Sequence, residues 1–295
     1  MVYLLSELVS FILIMIFVAF FILAERKVLG YIQLRKGPNK TGIVGLLQSF
    51  SDLGKLILKL NTFSFQYRSL FSLFGVYLIV VVSMLYCNIY ALYSLGYNSN
   101  YLLLVFFLLT SLSSYSILSV GWGSNNKYSL YGSLRSSFGA VSYEMSFMCF
   151  LLIIGYILGF YSLYDSYFNN SIYSNILLVW PIYFVFLMCS LCETNRIPFD
   201  FAESESDLVS GFNTEICNTH FVCLFACEYL IVFIMAWFSS AYFFTGGLYY
   251  IFIMFTVFFF LWSRGTLPRL YYNSFIEFFW AYLLVYLSWF ILIIL

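Results

Sequence analysis

The stretch YLLSELVSFILIMIFVAFFILA, residues 3–24, carries a single charged residue, Glu7. Its length matches the ~20 residues with which a helix crosses ~30 Å of hydrocarbon. Similar runs recur along the chain, which is 63% hydrophobic, only 9% charged and has a mean hydropathy of +0.94. We therefore predict an all-α integral membrane protein that forms a single membrane domain over residues 1–295.

Eight apolar runs of this kind predict eight transmembrane helices. The first run has no basic segment before it and no small-residue cleavage site after it, so we expect it to remain as a span and not to be removed as a signal. The predicted spans lie at about 3–24, 69–95, 101–120, 136–163, 172–192, 216–241, 242–263 and 275–295.

The 13 Lys and Arg residues all fall in the odd-numbered connections between these spans. An excess of bases in the loops of one side is typical of the inner face of a membrane. We therefore predict that both termini lie on the outer side, which in a mitochondrion is the intermembrane space. The predicted inner-face loops are about 25–68, 121–135, 193–215 and 264–274.

The first inner-face loop begins with ERKVLGYIQLRKGPN, residues 25–39, in which two glycines and Pro38 predict a break in the helix. Such a basic segment contacts lipid headgroups or forms a cradle for a polar ligand or partner, and both interpretations stay open. An amphipathic helix is predicted at about 45–60, along the inner interface, either as an anchor or in a functional role. Its apolar side comprises Leu46, Phe50, Leu53, Ile57 and Leu60.

The connection at 193–215 holds six of the chain's 13 carboxylates against one base, Arg196. Phe199, Phe201 and Phe212 interleave with these acids, and aromatic side chains favour burial. Acids that are crowded in a partly dry site cannot all ionise, so they titrate as a coupled group and can pass protons. Pairing with bases of neighbouring subunits explains the charges equally well, although it does not explain the aromatics.

Two further carboxylates, Glu144 and Glu228, lie inside predicted spans. An ionised side chain at the centre of a membrane costs at least ~2.5–3.5 kcal/mol, and such residues commonly line an ion path. Glu7 and Glu277 lie near the ends of their spans, where they can reach the interface.

Metal and haem binding are not predicted. The one C-x-x-C pair, Cys189 and Cys192, falls at the end of a predicted span, and His220 is the only histidine. A zinc site or iron–sulfur cluster usually needs four well-spaced ligands, so we interpret the seven cysteines as small buried hydrophobic residues. Any electron carrier then belongs to a partner.

Four blocks of sequence carry a resemblance to a known family. AERKVLGYIQLRKGPN (24–39) and ETNRIPFDFAESESDLVSGFNTE (193–215) resemble inner loops of subunit 1 of the proton-pumping NADH:ubiquinone oxidoreductase, respiratory complex I. SNNKYSLYGSLRSSFGAVSYE (124–144) and RGTLPR (264–269) resemble the other two inner segments of that family. The blocks occur in family order and span the chain, and the resemblance likewise implies eight helices.

The resemblance implies a core membrane subunit that forms the access chamber for ubiquinone and an acidic relay coupling quinone reduction to proton pumping. No catalytic residue of its own is implied. The implied chamber residues are Arg26, Gln33, Arg35, Arg196 and Phe201. The implied relay residues are Glu144, Glu193, Asp200, Glu203, Glu205 and Glu228.

The resemblance also implies that this chain binds no cofactor directly. FMN and iron–sulfur clusters belong to partner subunits, NADH is the substrate of the whole complex and ubiquinone is the substrate of the chamber. The expected partners are other membrane-arm subunits, the peripheral-arm quinone-site and iron–sulfur subunits, and lipids, but no nucleic acid. The 36 Phe and 27 Tyr suit an AT-rich mitochondrial genome, so we expect the mitochondrial inner membrane, with a bacterial plasma membrane as the alternative.

Two other functions remain as alternatives. The membrane subunit of an energy-converting hydrogenase shares the fold without quinone chemistry. An ion-coupled membrane transporter would use Glu144 and Glu228 to bind its ion, although we find no internal repeat of the kind that many transporters have.

The first inner-face loop departs from the family at several positions after the 24–39 block. Ile43 and Ser49 stand where prolines are common, and Lys40 and Thr41 replace apolar residues. These departures leave open the angle at which the 45–60 helix leaves the loop.

Overall fold

The computed structural model describes residues 2–59, 70–97, 101–158, 161–162, 176–202, 211–214, 216–244 and 247–294, and every regular element among them is helical. The first five helices are α1 Val2–Ile32, α2 Gln48–Leu58, α3 Leu70–Ser94, α4 Leu102–Gly123 and α5 Lys127–Leu158. The next three are α6 Ile176–Glu193, α7 Asn218–Phe243 and α8 Gly247–Thr266, with a 3-10 turn at Gly211–Asn213 before α7. The last helix, α9, comprises Tyr272–Glu277, a π-helical turn at Phe278–Leu283, and Leu284–Ile294.

Seven of the described helices are long and apolar enough to cross a membrane, namely α1, α3, α4, α5, α7, α8 and α9. The predicted span at 172–192 corresponds to α6, in which Trp180–Glu193 forms a shorter apolar helix. The 18 residues of α6 give a length of about 27 Å at the usual rise per residue. The chain is therefore a multi-pass helical membrane protein.

Helix α1 is longer than predicted. It continues through Gly30 to Ile32, so the break predicted within residues 25–39 comes after Ile32. The helix ends where Leu34 adopts a φ of 57°. A Cβ at Gly30 would lie 3.2 Å from the Gly37 nitrogen, so the glycine lets the loop backbone pack closely on the last turn of α1. Charged residues alone do not end a helix when partners or solvent satisfy them.

The connections after α4 and α8 are also shorter than the sequence indicates. Only residues 124–126 separate α4 from α5, and only residues 267–271 separate α8 from α9. Much of the two predicted inner-face loops at these places is helical because a helix need not stop at the edge of the hydrocarbon.

Helix α2 confirms the amphipathic prediction with narrower bounds. It packs against α1 and α7, and Phe50 meets Phe20 of α1 edge to face at 6.3 Å between ring centroids. Phe50, Ile57 and Leu58 remain exposed in this chain, by 45%, 59% and 85%. An exposed apolar side beside a membrane span suits contact with lipid.

Small residues bring the central helices together. A Cβ added to Gly75 of α3 would lie 2.2 Å from Ser119 Oγ of α4, and one added to Gly121 of α4 would lie 2.2 Å from Ser133 Oγ of α5. Membrane helices approach closely where such residues meet, because lipid provides no hydrophobic force between them. Aromatic rings fill the remaining core, among them the fully buried and stacked Phe106 and Phe238.

The segment that follows α6 folds back into the protein. Phe199, Phe201 and Phe212 are exposed by only 3%, 8% and 0%, which confirms the predicted burial of these aromatics. Phe199 and Phe201 both contact Phe275 of α9, at 5.4 and 4.9 Å between ring centroids. The backbone amide of Leu270 donates to the carbonyl of Pro198 at 3.1 Å, so this segment is held by the C-terminal part of the chain.

Candidate functional site: two clusters of buried carboxylates

Glu193 at the end of α6 is 6% exposed and accepts hydrogen bonds from two other helices. Tyr143 of α5 donates its hydroxyl to Oε2 at 2.5 Å, and Ser113 of α4 donates to Oε1 at 2.8 Å. Hydroxyls can stabilise either protonation state of a carboxyl group, since they donate or accept as required. Two hydroxyl groups therefore hold the carboxyl group in place, and no ion pair to it is found among the described residues.

A small cavity beside Glu193 is lined by a second carboxylate, Glu228 of α7. It has room for about one water molecule, and its surface is mostly apolar although Ser113, Thr194 and Asn195 line it beside the two carboxylates. Glu144 of α5 is half-buried, bonds to Ser114, and lies close enough for its charge to act on Glu193. Three of the implied relay residues, Glu144, Glu193 and Glu228, therefore lie close together.

A separate buried cluster surrounds Glu25 of α1, which is 5% exposed. Arg196 Nη1 lies 3.3 Å from Glu25 Oε1, and Arg264 of α8 forms a second ion pair with the same oxygen. Tyr229 of α7 donates its hydroxyl to the other oxygen, Oε2, at 2.6 Å. We refer to Glu25, Arg196, Arg264 and Tyr229 as the Glu25 cluster.

Arg196 makes a second contact within this cluster, because its guanidinium lies over the Tyr229 ring at 4.1 Å from the centroid. Burial by itself would lower the pKa of Arg196, but Tyr229 and Glu25 offset this, so the pKa is raised above its ordinary value and the side chain stays charged. The charge of Glu228 also acts on Arg196, so this member of the Glu25 cluster lies near one of the relay carboxylates.

Asp200 has a partner within its own chain. Arg269, in the connection between α8 and α9, donates to Asp200 Oδ2 at 3.1 Å, and the carboxylate is 7% exposed. At this position a base of the same chain pairs with the acid.

The implied chamber residues of the first loop are more exposed than the Glu25 cluster. Arg26 pairs with Asp52 of α2 at 2.6 Å, while Gln33 and Arg35 follow the end of α1 with exposed side chains. Within the described part of the chain, no hydrogen bond or ion pair connects the side chains of Gln33 or Arg35 to the Glu25 cluster.

Comparison with known proteins decides the family. A sequence profile of the family described as NADH dehydrogenase matches residues 6–295, nearly the whole chain. The chain belongs to this family. Proteins named NADH-ubiquinone oxidoreductase chain 1 are similar to it: that of Aedes aegypti is 41% identical and that of Anopheles gambiae 39% identical, each over 97% of this chain and 90% of the relative. The protein of the same name from Locusta migratoria is 39% identical with the same coverage.

Membership of the NADH dehydrogenase family confirms the resemblance drawn from the four sequence blocks. The structure brings Glu144, Glu193 and Glu228 together, and it places Arg196 in the Glu25 cluster next to them. Phe201 packs edge to face on Tyr272 at 5.6 Å. Glu203 and Glu205 fall outside the described residues.

Sequence reasoning missed several partners that the family assignment does not by itself reveal. These residues are Glu25, Asp52, Ser113, Tyr143, Tyr229, Arg264 and Arg269. Tyr143 and Tyr229 each stand directly beside an in-span carboxylate in the sequence, and Glu25 and Arg264 are opposite charges near the inner ends of two spans. A tyrosine next to an in-span carboxylate, and opposite charges near the ends of two spans, are sequence signals that could have identified four of these seven residues.

The cysteines are all free where the structure describes them, and their burial differs from the prediction in part. Cys87, Cys189, Cys192 and Cys227 are buried, as expected for small hydrophobic residues, while Cys217 and Cys223 are exposed and contradict the prediction. Among the described residues no three His, Cys, Asp or Glu side chains come together in a way that could hold a metal ion.

Proposed function

We propose that this chain is a core membrane subunit of a proton-translocating NADH:ubiquinone oxidoreductase. The family match and the names of the relatives support this function over a transporter or a hydrogenase subunit. The chain serves as one subunit of an enzyme and contributes no catalytic cofactor of its own. NADH, FMN and the iron–sulfur clusters are handled by partner subunits in the peripheral arm.

One observation carries the relay part of the proposal: the Glu193 carboxyl group is buried between Tyr143 and Ser113 and shares a cavity with Glu228. Carboxyl and hydroxyl groups within hydrogen-bonding distance, or one water apart, can transfer a proton. Glu144 extends this group, and we assign Asp200, Glu203 and Glu205 to the same acidic relay on the basis of the family resemblance.

The Glu25 cluster supports the chamber part of the proposal. Arg196, an implied chamber residue, is fixed there by an ion pair and by the Tyr229 ring. One carboxylate faces two guanidinium groups in this cluster, which leaves a net positive charge of one beside the relay. A quinone that gains electrons becomes more negative, so this charge favours the reduced state near it. Arg26, Gln33, Arg35 and Phe201 complete the proposed chamber wall.

We further propose eight transmembrane helices, with α6 as the fifth of them and both termini on the outer, intermembrane-space side. The single-sided distribution of the 13 bases supports this orientation. The relatives come from animals, which favours the mitochondrial inner membrane over a bacterial plasma membrane. The partners are then the other membrane-arm subunits, the peripheral-arm quinone-site and iron–sulfur subunits, and lipids.

Substitution of Glu193 by Gln tests the relay in the assembled oxidoreductase. Glu193→Gln keeps the size of the side chain but cannot exchange a proton, so we expect ubiquinone reduction and proton pumping to fall together, by about tenfold or more. NADH oxidation by an artificial acceptor measures the peripheral arm alone and should be unchanged.

The matched control for that experiment is Glu277→Gln, which removes an exposed carboxylate of α9. This variant should keep full activity. Wild-type rates of ubiquinone reduction and pumping in Glu193→Gln would contradict the relay role.

A further inference from the structure

A chain of polar contacts ties the first inner-face loop to α2. Thr41 Oγ1 donates to Gln48 Oε1 at 2.7 Å, and Gln48 Nε2 donates to Asp52 Oδ1 at 2.9 Å. Arg26 Nη1 donates to the other oxygen of Asp52, Oδ2, at 2.6 Å. We refer to Thr41, Gln48, Asp52 and Arg26 as the loop clamp, because their successive hydrogen bonds connect the loop, α2 and α1.

Asp52 determines which way the Gln48 amide faces, because its carboxylate only accepts hydrogen bonds and the amide nitrogen is the donor. The Thr41 hydroxyl donates to the amide oxygen and so holds the amide in this orientation from the side of the loop. If the amide rotated by half a turn, its oxygen would face a carboxylate oxygen, and both groups are acceptors. Asp52 would then lose a donor on the side away from Arg26, and its carboxylate would be free to rotate.

The backbone around the loop clamp follows a tight path. Lys27 Nζ donates to the Val44 carbonyl at 2.6 Å, so neighbouring residues of α1 hold the loop and α2 separately. Gly45 has a φ of 80°, and a Cβ there would lie 2.1 Å from the Pro38 carbonyl oxygen. The loop therefore reaches α2 by one close-packed route, although Ile43 and Ser49 stand where the family resemblance indicates prolines.

We propose that Thr41 and Gln48 are positioning residues that fix, through Asp52, the Arg26 side chain and the tilt of α2 at the mouth of the quinone chamber. This inference rests on the proposed function, which assigns Arg26 to that chamber. The opposite side of α2 exposes Phe50, Ile57 and Leu58, the side from which an apolar tail in the membrane would approach. The loop clamp therefore acts on how the quinone tail is accommodated and not on the reaction of the headgroup.

The contribution of the loop clamp to stability is small because its ion pair is exposed to solvent. The side chains of Arg26 and Asp52 are 50% and 36% exposed, and surface ion pairs stabilise a fold only slightly. Loss of the loop clamp should therefore change binding geometry more than assembly or thermal stability.

The test uses the assembled oxidoreductase with Thr41→Val, which replaces the hydroxyl by a methyl group of similar size. NADH:ubiquinone reductase kinetics are measured with a long-tailed and a short-tailed ubiquinone. We expect the KM for the long-tailed quinone to rise about threefold, the size expected from one neutral hydrogen bond. The KM for the short-tailed quinone and both kcat values should stay unchanged.

Three further variants make the test specific. Thr41→Ser keeps the hydroxyl and should restore the wild-type KM. Gln48→Met keeps the length of the side chain without its amide and should behave like Thr41→Val, which provides a second test if the valine variant does not assemble. Ser51→Ala is the matched control on α2, because Ser51 Oγ donates to the Gln48 main-chain carbonyl outside the loop clamp.

Arg26→Ala separates failure of this inference from failure of the proposed function. If Arg26→Ala raises the KM for long-tailed quinone while Thr41→Val and Gln48→Met leave it unchanged, the positioning role is overturned and the chamber stands. If Thr41→Val raises the KM for the long-tailed and the short-tailed quinone equally, the proposed selective effect on the quinone tail is overturned. If Arg26→Ala also changes neither KM, the placement of Arg26 in the chamber fails and the positioning role fails with it.

Discussion

Glu25 illustrates how a carboxylate can be kept in the interior of a membrane protein. Each of its oxygens has a donor, with Arg196 and Arg264 on Oε1 and Tyr229 on Oε2. A buried ion pair is often no better for stability than apolar residues of the same volume, but removal of one partner leaves an uncompensated charge. The cluster should therefore be sensitive to single substitutions.

Substitution of Glu25 by Gln measures this dependence. Two guanidinium groups would lose their carboxylate, so we expect a destabilisation of about 3 kcal/mol, at the lower end for buried pairs because Arg264 is partly exposed. Tyr229→Phe keeps the ring under Arg196 and removes only one hydrogen bond to a charged group, which should cost about 1.5 kcal/mol. The temperature at which the assembled enzyme loses half of its activity provides the measurement.

Glu7→Gln serves as the control on the same helix, because Glu7 is a half-buried carboxylate near the other end of α1. It should leave the inactivation temperature unchanged. Equal behaviour of Glu7→Gln and Glu25→Gln would show that the ion pairs do not stabilise the assembled enzyme.

At the scale of elements, small residues set the spacing of the α3, α4 and α5 helices. Gly121 is one of the tight cases, since an added Cβ would lie 2.2 Å from Ser133 Oγ and 2.8 Å from the Ser129 carbonyl oxygen. The carbonyl belongs to the backbone of α5 and cannot move unless the helix moves. Close contact between α4 and α5 brings Ser113 and Tyr143 to the same carboxyl group.

Gly121→Ala should separate these helices slightly and cost about 1–3 kcal/mol, as overpacking usually does. The opposite result is expected for Gly54→Ala in α2, where an added Cβ meets nothing within 4 Å. Alanine there favours the helix by up to about 1 kcal/mol. Thermal inactivation of the two assembled variants should therefore shift in opposite directions, and a stabilised Gly121→Ala enzyme would refute the packing argument.

At the scale of the whole molecule, the C-terminal part of the chain closes the site. Arg269 pairs with Asp200, and the Leu270 amide bonds to the Pro198 carbonyl. Phe275 of α9 packs against the aromatic residues of the same segment. Residues near 200 and 270 therefore form one unit, although 69 positions separate Asp200 from Arg269.

A double-mutant cycle tests this connection, with Asp200→Asn, Arg269→Gln and the combined variant. Asp200 and Arg269 each have other contacts, so only the coupling between the two substitutions isolates their pair. We expect a coupling of about 1 kcal/mol in thermal inactivation of the assembled enzyme. If the effects of Asp200→Asn and Arg269→Gln on thermal inactivation are strictly additive, the ion pair between the two residues makes no contribution to stability.

The helices could be predicted from the sequence because each span is apolar over the thickness of a membrane, and the burial of Phe199 and Phe212 followed from their aromatic side chains. The ends of α1, α4 and α5 could not be predicted in this way, because a helix continues past the hydrocarbon for as long as its charged side chains find partners or solvent. The partners of Glu193 lie 50 and 80 positions away in the chain, on α5 and α4. Only the packing of α4, α5 and α6 brings these side chains together, and the periodicity of the sequence does not predict which helices pack against each other.

The pairing of Glu25 with Arg264 also has a consequence for synthesis. The acid leaves the ribosome 239 residues ahead of the base. At ordinary translation speeds of about 5–20 residues per second, that interval is roughly 12–48 s. Arg196, the other ion-pair partner, follows Glu25 by 171 residues and is synthesised before α8. A nascent chain halted before α8 would therefore hold Glu25 with one guanidinium group in place of two, and the cluster is completed only when Arg264 of α8 has been made.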